Sequence, residues 1–194
     1  MWFFINFIFI FTLVLFASYL LLGYFSIKRL RNYTKRNSYT DYNSVGISPL
    51  SPSVSIISPA YNEEKNIVNN AKTLLNLHYQ NFEVIIVNDG SKDNTFNYLV
   101  ESFELEKVNY FFEYKIPTQK VRGIYKSKNP SYHKLLVIDK VNGGKADAIN
   151  SGINLCRNEL VMSIDADSII EPDSITKLVK PFLEEKKKKV IGTG

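Results

Sequence analysis

Leu160-Val161-Met162-Ser163-Ile164-Asp165-Ala166-Asp167 is an apolar run that ends in two carboxylates with one small residue between them. The run reads as a strand. A strand that delivers Asp165 and Asp167 at its carboxyl end can hold a divalent metal, and a metal held there can neutralise a diphosphate. Upstream of it, apolar strands alternate with helices. Val54-Ser55-Ile56-Ile57 is a short strand, after which Asn62 can cap a helix carrying Glu63 and Glu64 in its first turn and running to about Leu77. Phe82 to Val87 is a second apolar strand, closed by the turn Asn88-Asp89-Gly90-Ser91 and followed by a helix from about Asp93 to Phe103. Lys134 to Ile138 is a further strand, Gly143-Gly144 a turn, and Lys145 to Arg157 a helix. Beyond Asp167, Pro172 suits a first helical position. The helix it opens reaches about Glu185, with Pro181 expected to kink or break it, and Val190-Ile191 begins one more strand. Glu104 to Pro130 is charged and aromatic, and reads as an irregular excursion with one short strand near Val108 to Phe112.

Apolar strands alternating with helices predict an α/β domain whose mainly parallel sheet is covered on both faces. Ligands in such sheets collect at the carboxyl ends of the strands. Tyr61, Asp89 and Asp165 each follow an expected strand end, so they should meet on one rim. Each element also has a bland reading: Asp165 and Asp167 as a solvated turn, Lys145 as a surface lysine, Tyr61 as packing. Their order on one rim is what suggests chemistry. Releasing a nucleoside diphosphate from a sugar requires stabilisation of its charge. A metal on Asp167 can act as Lewis acid, and Mg2+ or Mn2+ suits oxygen ligands. Lys145, starting a helix behind two glycines, adds positive charge beside free backbone N–H groups. Tyr61 can stack on a base, and Asp89 can accept a hydrogen bond from a ring N–H, which favours uracil.

Residues 1–27 carry no charged side chain, and Lys28, Arg29, Arg31, Lys35 and Arg36 follow at once. This predicts a transmembrane anchor over residues 1–27, with Trp2, Tyr19 and Tyr24 at or near interfacial levels. By the positive-inside rule the N-terminus faces out and the rest of the chain is cytoplasmic, on a single N-terminal span. A cleaved signal peptide would need a shorter apolar core preceded, not followed, by basic residues. A basic juxtamembrane linker is expected over residues 28–52, then one globular domain over residues 53–194. The basic cluster carries the whole net charge of +5, since the rest of the chain balances 19 basic against 19 acidic residues. That distribution argues against a nucleic-acid binder, which would carry its basic excess on the folded domain. The single cysteine, Cys156, excludes an internal disulfide and reads as a small buried residue; His78 and His133 have no metal-ligand spacing.

Val54 to Glu64 (VSIISPAYNEE), Val84 to Thr95 (VIIVNDGSKDNT), Asn142 to Gly152 (NGGKADAINSG) and Ser163 to Ser168 (SIDADS) together resemble a family 2 glycosyltransferase with a GT-A fold. Within it they look most like membrane polysaccharide synthases of the cellulose, hyaluronan and poly-N-acetylglucosamine group. The resemblance implies an inverting hexosyltransferase. It would transfer a sugar from a UDP-sugar donor to a polysaccharide or lipid-linked acceptor with Mg2+ or Mn2+. It implies that Tyr61 and Glu63 line the nucleoside pocket, Asp89 contacts uracil and Lys145 approaches the diphosphate. Asp165 would contact the nucleotide sugar near the metal, and Asp167 would coordinate the metal. In that family the acceptor base and a Gln-x-x-Arg-Trp motif lie downstream of the Asp-x-Asp strand. Neither occurs here, and Trp2 is the only tryptophan. The expectation is therefore a partial GT-A domain holding the donor half. A non-catalytic, membrane-anchored nucleotide-binding or interaction module is the alternative.

Overall fold

The computed structural model describes residues 2–37, 46, 48–183 and 189–194. The chain divides into two compact units, Met1–Asp41 and Tyr42–Gly194.

The described part of the first unit is one helix, α1 (Trp2–Asn37), and its Trp2–Asn32 portion is long and apolar enough to cross a membrane. Its apolar side chains point outward on every face, the pattern of a helix meant for an apolar surround. Thr12 and Ser18 return their hydroxyls to the carbonyls of Ile8 and Leu15, at 2.8 and 2.7 Å, so these two donors are satisfied within the helix. The helix does not stop at Ile27. Lys28 to Asn37, expected as linker, continue it, since Lys and Arg are good helix formers and nothing there breaks the turn. Residues 38–45 of that expected linker lie outside the described residues.

The second unit is a six-stranded mixed sheet. Its strands are β1 (Val54–Ala60), β2 (Phe82–Asp89), β3 (Leu105–Val108), β4 (Val121–Ser127), β5 (Leu135–Lys140) and β6 (Leu160–Ser163), in the order β3-β4-β5-β2-β1-β6. β5, β2, β1 and β6 run parallel, while β4 is antiparallel to both β3 and β5. The helices are α2 (Ile67–Leu75), α3 (Thr95–Ser102), α4 (Lys145–Leu155) and α5 (Ser174–Leu183). Alternate strand residues face opposite sides, so each central strand must be apolar throughout. Ile56, Val84, Ile86 and Val137 join Ile67, Leu74, Leu99, Phe103 and Val179 in one core. Ile57, Ile85, Val87 and Ile138 meet Ala148 and Leu155 of α4 in the other.

Several expectations need correction. Asn62 caps no helix: it takes a left-handed φ of 57°, and α2 starts only after Asn66. Glu63 and Glu64 precede that helix in a turn, where the Glu63 carbonyl accepts from Asn66 and Ile67 N–H. Asn88 and Asp89 are the last residues of β2, because pairing with Asp139 and Lys140 of β5 prolongs the ladder past Val87. The excursion holds two strands, Leu105–Val108 and Val121–Ser127; the second was hidden by Gly123 and by a register irregularity beside it. Helix α4 ends at Leu155, leaving Cys156 in extended backbone and partly buried. Pro181 lies inside α5, which continues to Leu183. Val190-Ile191 forms no strand. Glu184 and Glu185, expected at the end of that helix, lie outside the described residues.

Candidate functional site

The parallel strands β5, β2, β1 and β6 all present their carboxyl ends to one rim, and a cavity of about 520 Å³ opens there. Tyr61, Glu63, Asp89, Lys145, Asp165 and Asp167 all line it. The volume falls within the range of roughly 300–1,000 Å³ typical of small-molecule sites.

The loops after β1 and β2 are fastened to each other by side chains. Asn62 N–H donates to Ser91 Oγ at 3.0 Å, and Lys92 N–H returns a bond to Asn62 Oδ1 at 2.8 Å. Glu63 N–H donates to Thr95 Oγ1, Glu64 N–H to Asp93 Oδ2, and Asn94 N–H to Glu64 Oε2. Asp93 also accepts from the Thr95 hydroxyl at 2.5 Å and the Thr95 N–H at 3.0 Å. Burial pushes the Asp93 carboxyl up, but these hydrogen bonds outweigh it, and the group titrates below its ordinary value. This clasp sets Tyr61, 44% exposed, at the mouth of the cavity with Glu63 beside it.

Beneath Asp89, which lines the cavity, lies an ion cluster. Lys140, the last residue of β5, is fully buried, and its ammonium donates to Asp89 Oδ1 at 2.6 Å and to the Val141 carbonyl at 2.6 Å. It also pairs with Asp147 Oδ1 at 2.5 Å. Asp89 in turn accepts from Gly143 and Gly144 N–H at 3.0 and 2.8 Å, while Asn142 Nδ2 holds its carbonyl. Gly144 precedes α4 with a φ of 86°, a conformation that glycine adopts without strain. The turn it makes sets Lys145 and the free N–H groups of the first turn of α4 at the cavity.

The third side is open. Asp165 and Asp167 follow β6 and are exposed; Lys145 Nζ reaches Asp165 Oδ1 at 2.5 Å. Among the described residues the Asp167 carboxylate makes no hydrogen bond or ion pair, and no cluster of three or more His, Cys, Asp or Glu side chains forms a closed metal cage. Cys156 lies at the far end of α4 from Lys145. Burial pushes its thiol up to about 11, so it stays protonated and inert at neutral pH.

Sequence reasoning assigned no role to Lys140, Asp147, Asp93 or Thr95, and gave Asn62 only a helix cap. The signal for Lys140 was present: it is the one charged side chain closing the run Leu135-Leu136-Val137-Ile138 beyond Asp139, where a core strand meets the rim. The clasp had no such signal, because it joins residues about 30 positions apart through side chains that also suit ordinary turns.

Residues 55–113 and 117–194 match the family described as Glycosyl transferase family 2. The chain belongs to that family. Its GT-A fold is shared with a solved mannosyltransferase from Pyrobaculum calidifontis in complex with GDP-mannose and Mn2+, at a TM-score of 0.54 and 21% identity over 87% of this chain and 43% of that one. Poly-beta-1,6-N-acetyl-D-glucosamine synthase of Staphylococcus epidermidis is 31% identical over 135 residues, 69% of this chain and 26% of the synthase. Hyaluronan synthase of Pasteurella multocida is 31% identical over 135 residues, 70% of this chain and 11% of that enzyme. UDP-N-acetylglucosamine–dolichyl-phosphate N-acetylglucosaminyltransferase of Methanococcus voltae is 33% identical over 138 residues, 71% of this chain and 50% of that enzyme. This family 2 chain therefore spans half or less of each of these relatives.

Proposed function

We propose that the rim cavity binds the donor of a membrane-anchored glycosyltransferase, a UDP-linked hexose passed with inversion to a polysaccharide or lipid-linked acceptor. The observation that carries this is the convergence of an aromatic ring, a lysine at a helix N-terminus and two adjacent carboxylates on one cavity. The relatives support both acceptor classes, being named as polymer synthases and as a dolichyl-phosphate transferase.

In this reading Tyr61 offers its ring face to the base and Glu63 closes the nucleoside side. A carboxylate offers about four acceptor sites. Asp89 fills three of them with Lys140, Gly143 and Gly144, which leaves one on Oδ2 for a ring N–H of uracil. Lys145 and the N–H groups beginning α4 meet the diphosphate, where the helix dipole favours negative charge. Asp165 must part from Lys145 as the donor enters, and both side chains are exposed enough to move, at 49% and 62%. Asp165 and Asp167 form an open, all-oxygen donor pair, which fits Mg2+ or Mn2+, ions that keep waters and phosphate oxygens in their shell. Such a cation, when bound, neutralises charge on the departing diphosphate. This portion of the enzyme serves the donor; we assign the base that deprotonates the acceptor to none of its residues. The basic run from Lys28 to Arg36 supports a cytoplasmic placement of the second unit.

Calorimetric titration of the full chain in detergent with UDP, with and without Mn2+, tests the proposal. Metal-dependent binding is expected. Absence of UDP binding under every metal condition would overturn the donor reading in favour of a non-catalytic module.

A further inference from the structure

We infer that Lys140 is a positioning residue for the donor site, holding its base-facing and diphosphate-facing sides in one fixed relation. The inference rests on the donor reading above.

Lys140 donates hydrogen bonds to Asp89 Oδ1 and to the Val141 carbonyl, both at 2.6 Å, and its ammonium forms an ion pair with Asp147 Oδ1 at 2.5 Å, with its side chain wholly excluded from solvent. Each partner leads to a different part of the site. Asp89 ends β2 and grips the Gly143 and Gly144 N–H groups. Asp147 lies in the first turn of α4, two residues after Lys145, and its Oδ2 accepts from Gln119 N–H at 3.0 Å. Val141 starts the loop between the two. One buried cation thus joins the strand that faces the base, the glycine turn, and the helix end that faces the diphosphate. Packing alone would require no charge here, since an apolar side chain would extend the β5 core. A buried ion cluster is a weak source of stability and is better explained by the geometry it enforces. Lys140 touches no part of the cavity surface, so it acts through Asp89 and Asp147.

The test is a double-mutant cycle on the full chain, with UDP plus Mn2+ as the probe and uridine as a second probe that lacks the diphosphate. In the native background Lys145→Ala should weaken UDP binding about tenfold and leave uridine unchanged. With Lys140→Met in place, UDP and uridine should both bind about tenfold more weakly, and adding Lys145→Ala should cost less than about twofold more. Asp147→Asn keeps the shape and severs only the ionic arm to α4; it should weaken UDP while sparing uridine, and it serves if Lys140→Met does not fold. Folding is checked by circular dichroism. Equal losses of UDP and uridine affinity in folded Asp147→Asn, or an additive Lys140–Lys145 cycle, would overturn the inference while leaving the donor reading intact. Failure of the native chain to bind UDP at all would instead sink the donor reading, and this inference with it.

Discussion

On the β2–β5 side of the cavity Lys140 and Asp89 are 0% and 4% exposed, and their charges are met on several sides. On the β6 side Asp165 is half exposed, answered by one lysine that is itself 62% exposed, and Asp167 is free among the described residues. One wall is finished before any ligand arrives; the other is left to be completed. The difference follows from strand position. β5 and β2 are central, covered on both faces, so a charge at their ends must find protein partners or remain unpaired in a low dielectric. Among the described residues β6 pairs only with β1, and its carboxyl end opens to water, so carboxylates there can stay unsatisfied at little cost. A donor site benefits from both arrangements: a rigid wall fixes orientation, and an open one leaves room for a cation and phosphates.

The strongest way to break this contrast is Asp167→Ala. If the open wall is completed by a cation, this change should lower UDP affinity in Mn2+ at least about tenfold, to the level seen in EDTA. The unfolding midpoint should barely move, since no hydrogen bond or ion pair among the described residues is lost. A large fall in stability would mean that the open wall is structural after all. The complementary change is Gly143→Ala on the finished wall. A methyl there overlaps the Asp147 carboxylate. That carboxylate cannot swing aside, being pinned by Lys140 and by the Gln119 N–H. Overpacking of this kind costs about 1–3 kcal/mol, readable by urea unfolding. No change in stability would show the Lys140 cluster to be looser than its geometry implies.

The open wall was far more legible in the sequence than the finished one. Asp165-Ala166-Asp167 announces itself because two acids end an apolar run, and Lys145 because two glycines precede a helical pattern. Exposed functional side chains escape packing constraints, so their residue types stand out. The finished wall depends on pairings such as Asp89 with Lys140, 51 residues apart, and no local pattern encodes that distance. The central parallel strands β1, β2 and β5 were read correctly because burial on both faces makes them largely apolar. Val121–Ser127 was missed for the opposite reason: it sits next to the sheet edge, mixes exposed and buried positions, and contains Gly123. Asn62 misled because the same side chain that caps helices also tolerates the left-handed backbone it adopts here.

Between the two walls lies the clasp of the β1 and β2 loops, and it isolates one variable. It is densely hydrogen-bonded like the finished wall, yet Asp93 is near the surface like the open one. If hydrogen bonding without deep burial is enough to make a loop rigid, the stability it adds should titrate with Asp93. The carboxyl sits below its ordinary value near 3.8, because bonds from the Thr95 hydroxyl and from the N–H groups of Thr95, Glu64 and Asp93 itself overcome the upward push of burial. A depressed folded value means that the ionised form favours the folded state. The contribution is therefore complete above the ordinary value and is lost as pH falls through the lower folded one. Asp93→Asn should be less stable than the native chain at neutral pH, and the gap should close as pH falls below the ordinary carboxylate value and the native carboxyl takes up its proton. The effect should be the smallest of these, because the group is near water and screened. Urea unfolding of both chains across that range reads it directly. A gap that persists unchanged at low pH would mean that the clasp is held by the shape of its turns, and that burial alone separates the finished wall from the open one.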